Sequence, residues 1–199
     1  KIIKSVISYR IGFSMLSTDW YKNIFRFYIN SNYEIKSLNI KWLFKAPHYK
    51  NKINTWKSNY RNGGGAFNFY GSHLLALLAS IDNWSISNFI SYRRENLGEY
   101  KFRIIAKSGN NTICDLTVDT NYLHDPVFEV ILETNGDKVL SFFDKSPFHY
   151  LDNSKSLYDN RVSLLKTLIE SFHEDNKKYY NIYDNYIDLW NQCESKIII

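Results

Sequence analysis

The chain has 199 residues, 44% of them hydrophobic and 23% charged, with 25 Lys and Arg against 20 Asp and Glu and hence a net charge of +5. One domain with a sizeable core fits that length, and the composition excludes a disordered segment. The longest apolar run, Leu74–Ala79, falls far short of the roughly 20 residues a membrane span needs, so no membrane association is expected. Lys and Arg are scattered, never more than two together, as in Arg93-Arg94 and Lys177-Lys178. That is a solvated surface rather than a nucleic-acid groove. Cys114 and Cys193 stand far apart and have no metal-ligand spacing, which reads as two buried thiols in a reducing cytoplasm. The opening Lys1-Ile2-Ile3-Lys4 has no secretory h-region and no initiator Met, so the expectation is a cytoplasmic protein whose leading part lies outside these residues.

In chain order, residues 3–9 are β-branched enough for a short strand. Ser17-Thr18-Asp19 offers an N-cap, and Trp20, Ile24, Phe27 and Tyr28 recur at helical spacing until Asn30-Ser31-Asn32. Leu38, Ile40, Trp42 and Phe44 alternate with polar residues, predicting a half-buried strand over 37–45. Residues 46–65 read as irregular, ending in Asn62-Gly63-Gly64-Gly65, and Ala66–Ile81 has the length and composition of a helix. Strands follow at Ser85–Arg93, Tyr100–Ala106, Thr112–Thr120, Val127–Thr134 and Val139–Phe143, with turns at Ser108-Gly109-Asn110 and Asn135-Gly136-Asp137. Two helical stripes close the chain: Tyr158, Val162, Leu165, Ile169, Phe172, and then Tyr179, Ile182, Tyr183, Tyr186, Ile187, Trp190. This order predicts an α+β domain over 1–199, with one large, mostly antiparallel (mixed) open sheet and helices on one face. The free face is a candidate homo-oligomer interface, built from the more polar alternation set Ile113, Asp115, Thr117 with Val127, Glu129, Ile131.

Chemistry concentrates in Trp56–Leu75. The Gly triplet permits close backbone approach, and His73 lies about two turns into the helix that follows. Gly71 costs that helix roughly 1 kcal/mol relative to Ala, so something bulky is expected against the backbone there. The candidates each carry a plain structural alternative. His73 is a proton-handling residue or a hydrogen-bonded core histidine. Trp56 stacks on a sugar face or anchors the core. Arg61 and Lys57 meet a substrate anion or are solvated. Tyr70, three before His73, reaches the pocket with its hydroxyl or packs inside. Arg10, after a strand end, is a pocket residue or a surface ion pair. His48, His124, His149 and His173 share no ligand spacing, so no metal site is expected.

The run Gly63-Gly64-Gly65-Ala66 … Tyr70-Gly71-Ser72-His73-Leu74 resembles the substrate-site helix of the Gfo/Idh/MocA family (glucose–fructose oxidoreductase, inositol dehydrogenase, rhizopine catabolism). Trp56, the strand 37–45 and the opening Ser8-Tyr9-Arg10 look like that family too, and the closing Cys193–Ile198 looks like its final strand. The likeness covers the family's C-terminal half alone, for neither a Gly-x-Gly-x-x-Gly fingerprint nor Glu-Lys-Pro occurs here. It implies the substrate-binding half of an NAD(P)-dependent dehydrogenase acting on a sugar, polyol or nucleotide sugar. NAD or NADP would be held mainly by an N-terminal Rossmann domain, outside these residues, that carries a catalytic Lys. It further implies His73 as catalytic and Trp56, Arg61, Asn68, Tyr70 and Arg10 as substrate-binding. Two positions depart from the family. An acidic residue often stands four before the His, where this chain has Phe69, and an Asp often stands three after, where it has Ala76; Asn68 is one place off the acidic register. A non-catalytic interaction module derived from that domain is the alternative.

Overall fold

The alternation of β1 (Ser37–Leu43) decides the architecture, because this strand has neighbours on both sides. Leu38, Ile40 and Trp42 are buried, while Asn39 and Lys41 point the other way. The computed structural model describes residues 12–30, 34–93, 97–135, 137–148, 161–170 and 177–196. With β1 it contains β2 (Trp84–Arg93), β3 (Glu99–Ser108), β4 (Ile113–Asp119), β5 (Val127–Glu133) and β6 (Lys138–Asp144), in one sheet of order β2-β3-β4-β1-β5-β6. β1 runs parallel to β4, and the other pairings are antiparallel. The sheet is therefore open, mixed and mostly antiparallel, as expected. Register puts Ile104, Leu116, Ile40 and Val130 in one row across the core.

The helices are α1 (Asp19–Asn30), the single turn α2 (Pro47–Lys50), α3 (Ser72–Ile81), α4 (Arg161–Glu170) and α5 (Lys177–Glu194). Thr18 caps α1 by accepting from the Tyr21 amide at 3.3 Å. Leu74, Leu75, Leu77 and Leu78 of α3 are fully buried and pack with Leu189 and Cys193 of α5 on the inner face of the sheet. The outer face carries the set expected there. Arg103 Nε donates to Asp115 Oδ1 at 2.9 Å, and Lys41 Nζ meets Glu129 Oε2 at 2.9 Å.

Several local expectations change. Residues 46–65 are wound into α2 and two 3-10 turns, Trp56–Ser58 and Tyr60–Asn62. The stripe Val162, Leu165, Ile169 is exposed (56%, 49% and 60%), whereas Leu164 is buried. Leu168, one turn after Leu164, is half-buried and lies against Gly12, where a Cβ would sit 3.0 Å from its Cδ2. The expected final strand does not start at Cys193, because α5 continues through Glu194 and places Cys193 in the core as the next step of its buried stripe. The strand at 3–9, Arg10, Tyr158, Phe172 and residues 197–199 lie outside the described residues.

Candidate functional site

The glycine triplet is shaped by what surrounds it. Gly63 adopts φ 75° and closes a 3-10 turn, its amide donating to Tyr60 O at 3.0 Å. Gly65 adopts φ 119°, and its amide donates to Lys57 O at 2.8 Å. A Cβ on Gly65 would lie within 2.6 Å of the Glu99 carboxyl atoms, so only glycine lets that group lie flat on the chain. Glu99, the first residue of β3, is 4% exposed, and its Oε1 accepts from the Phe67 amide at 3.0 Å. Burial raises its pKa above the ordinary 4.5, against backbone hydrogen bonds and the charge of Arg93, which lower it. Its Oε2 is buried without a partner.

The following helix starts in a π-turn over Phe67–Gly71 before α3 proper. Such one-turn insertions collect at functional sites. The Phe67 ring stacks on Trp190 with centroids 4.5 Å apart, and meets Phe89 and Phe102 edge-on at 4.9 Å and 5.5 Å. A Cβ on Gly71 would sit 2.7 Å from Phe67 Cδ2, so the bulky neighbour expected at this glycine is Phe67 itself. His73 follows two residues later and is half-buried. Burial lowers its pKa below 6.5, leaving a neutral ring at pH 7, and its Nδ1 is buried without a hydrogen-bond partner. A buried ring nitrogen of this kind is completed by a water, a bound group or a catalytic partner, or else stores strain.

Around the π-turn the side chains form an aromatic corner. Trp56 is 53% exposed, its ring 6.0 Å from that of Phe69. Lys57 Nζ lies 4.5 Å from the centroid of the ring of Phe69, four residues before His73, a cation–π contact. Tyr70 meets Trp42, Phe44 and Phe69 edge-on at 5.0, 5.0 and 4.9 Å. Burial first, and then Tyr49, push the Tyr70 hydroxyl up to about 12, so it remains a proton donor at neutral pH. Asn68 Nδ2 donates to Gly64 O at 3.1 Å and ties the loop to the helix. Arg61 is exposed at the end of the same loop, with its backbone amide donating to Asn59 Oδ1 at 3.0 Å. A cavity of about 10 Å³, near the space of one water, is lined by His48, Lys57, Phe69, Tyr70, Glu99 and Thr120, together with the Gly65–Ala66 backbone.

The structure thus brings Trp56, Lys57, Asn68 and Tyr70 into one corner, leaves the Arg61 side chain at the surface beside it, and sets His73 on the next turn of the same helix; Arg10 lies outside the described residues. Sequence reasoning missed Glu99 and His48. The inward positions of β3 are Phe102, Ile104, Ala106 and Ser108, so Glu99 stands out of that alternation, and the one hint was the glycine before it. A larger cavity of about 720 Å³ opens at the far end of α3, lined in part by Phe13, Tyr21, Phe25, Ile81 and Ile182, and contains none of the sequence candidates. Among the described residues no group of three or more His, Cys, Asp or Glu stands close enough to hold a metal, and no helix is long and apolar enough to cross a membrane.

No sequence-family model matches the chain, and no curated protein matches it. Solved structures do. A myo-inositol dehydrogenase from Corynebacterium glutamicum superposes with a TM-score of 0.66 at 14% identity, over 93% of this chain and 61% of that one. GenD2 from gentamicin A biosynthesis, solved with NAD, gives 0.65 at 10% identity over 94% and 61%. The WlbA dehydrogenase from Bordetella pertussis, solved with NADH and UDP-GlcNAcA, gives 0.61 at 11% over 92% and 60%. This chain has the fold of the C-terminal domain of the Gfo/Idh/MocA dehydrogenases. It spans about 60% of the length of these relatives. In this Gfo/Idh/MocA fold the described residues do not fit a dinucleotide pyrophosphate. Among the described residues, the Gly-rich loop that opens a helix presents its Phe67 amide to the Glu99 carboxyl, which takes the donor and fills the space a phosphate would need.

Proposed function

We propose that this chain is the substrate-binding half of an NAD(P)-dependent dehydrogenase acting on a sugar, polyol or nucleotide sugar. The observation that carries the reading is His73: a neutral imidazole with an unpartnered buried nitrogen, set one turn beyond an aromatic, cation-bearing corner in a fold otherwise found in such dehydrogenases. The relatives solved with NAD, or with NADH and UDP-GlcNAcA, support the cofactor and substrate class. Because the Gly63–Gly65 loop does not fit a dinucleotide, NAD or NADP is assigned to a Rossmann domain outside these residues. The chain's own part is binding and proton handling. Exposed Trp56 offers a face for the apolar side of a sugar ring, Lys57 and Arg61 offer charge for an anionic substituent, and Tyr70 offers a hydroxyl donor. Arg10 is kept as a further binding residue. His73 receives or returns the hydroxyl proton of the substrate at its imidazole.

The outer sheet face, with exposed Ile90, Tyr92, Ile113 and Phe143 around the Arg103–Asp115 and Lys41–Glu129 pairs, is proposed as the homo-oligomer interface. The experiment is a screen of the intact protein for NAD- or NADP-coupled oxidation of inositols, aldoses and nucleotide sugars. Cofactor-dependent turnover with one class supports the reading, and none with any class overturns it. A non-catalytic module is the second reading. It is favoured by Phe69, whose ring is engaged by Lys57 and Trp56 where a carboxylate partner for His73 would stand.

A further inference from the structure

Glu99 is the one buried carboxyl in this corner that the proposed chemistry does not use. It joins three separate pieces of chain. It opens β3, directly after Gly98, whose amide donates to Ser58 O at 2.8 Å in the 3-10 turn that carries Trp56 and Lys57. It lies flat against Gly65, and a Cβ on Gly98 would itself fall 2.8 Å from the Gly65 Cα, so strand and loop touch backbone to backbone. Its Oε1 takes the Phe67 amide, the first of the π-turn, at 3.0 Å. The cavity it lines is shared with Lys57, Phe69 and Tyr70. A helix's first amides lack intrahelical partners, so whatever accepts from them sets the entry angle of the chain. Here the acceptor comes from a sheet strand, and the next residues of the helix are the aromatic pair of the corner.

We propose that Glu99 is a positioning residue of the site: by holding the Gly63–Gly65 loop to the Phe67 amide it sets the placement of Lys57, Phe69 and Tyr70. The inference rests on reading the His73 helix as the site helix. Its test involves no turnover, so its failure and that of the dehydrogenase reading are distinguishable. The charged and titratable groups facing Glu99 are His48 from α2, Lys57 from the 3-10 turn, Arg93 from the end of β2 and Tyr70 from the π-turn. A carboxyl in these surroundings titrates above its ordinary range, and its protonation alters the acceptor strength at the Phe67 amide.

The experiment is NMR of this chain, wild type, Glu99→Gln and Glu99→Ala. The Phe67 amide and the Phe69 and Tyr70 ring signals are followed from pH 4 to 8, together with amide exchange. The His48 ring signals in the same spectra separate that group's titration from the carboxyl's. In the wild type, Phe67, Phe69 and Tyr70 are expected to share one titration midpoint above 4.5, which vanishes in Glu99→Gln while the fold and the Phe67 protection remain. In Glu99→Ala the Phe67 amide is expected to exchange roughly tenfold faster while β4 and α5 amides keep their protection. Should the Ala variant fail to fold, the Gln variant decides. Phe69 and Tyr70 rings indifferent to the Glu99 titration, or a titration that persists in Glu99→Gln, would overturn the proposal.

Discussion

His73 and Glu99 are both pushed toward their neutral forms by burial, and the consequences for stability have opposite signs. His73 has a folded pKa below its unfolded 6.5, so the unfolded chain binds the extra proton first. Its contribution to stability is present above pH 6.5 and is lost as pH falls toward the folded value. Glu99 has a folded pKa above 4.5, so its contribution is complete below pH 4.5 and is lost as pH rises through the folded value. NMR titration of the His73 ring is expected to give a midpoint below 6.5, and urea denaturation of Glu99→Gln is expected to remove the loss of stability that sets in above pH 4.5. Gly65 is the companion case for backbone. Gly65→Ala forces a side chain into φ 119° and onto the Glu99 carboxyl, and is expected to cost roughly 2 kcal/mol or more by urea denaturation. Gly63→Asn, at φ 75° with nothing within 4 Å of a Cβ, is expected to be near neutral.

Among the elements, period-two alternation made the five strands from β1 to β5 readable to within two residues. Each of them buries one face, and Leu38-Ile40-Trp42 or Cys114-Leu116-Val118 admit no other register. The helix over Ala66–Ile81 was equally plain, but its π-turn was not, because an inserted residue leaves an apolar run apolar. Gly71 was the trace it left. The glycine makes room for Phe67, and Phe67 is locked between Trp190, Phe89 and Phe102. Gly71→Ala, which helix propensity alone would favour by roughly 1 kcal/mol, is therefore expected to destabilise by about 1–3 kcal/mol, since the clashing ring cannot move aside. Thermal denaturation of the variant checks the sign. The exposed stripe of α4 shows the opposite failure. A helical period read from sequence locates an apolar face without saying what stands opposite, and in α4 that face is exposed whereas Leu164 is buried.

For the whole molecule, the sheet's two faces separate by chemistry. The inner rows are apolar at their centre, with Ser108 and Asp144 only at strand ends, and the outer one mixes ion pairs with exposed Ile90, Ile113 and Phe143. If two copies meet there, Ile113→Glu sets a charge at a central strand of the interface and is expected to weaken self-association by tenfold or more without lowering the melting temperature of the monomer. Light scattering across a dilution series reads it, and a wild-type chain that stays monomeric at tens of micromolar would remove the interface. The candidate site was legible as a segment, because the glycine triplet and His73 stand in one stretch of chain. Its construction was not, because Glu99, His48 and the partners of Tyr70 arrive from other strands and turns.

In the proposed reading, His73 handles the substrate proton of a dehydrogenase. This role is tested most directly by steady-state kinetics of the intact protein carrying His73→Ala, on the substrate class that the wild type turns over. The expected result is a fall in kcat of roughly 100-fold or more, with cofactor affinity and the circular dichroism spectrum unchanged. Turnover near that of the wild type would contradict it and leave His73 a packing residue of α3.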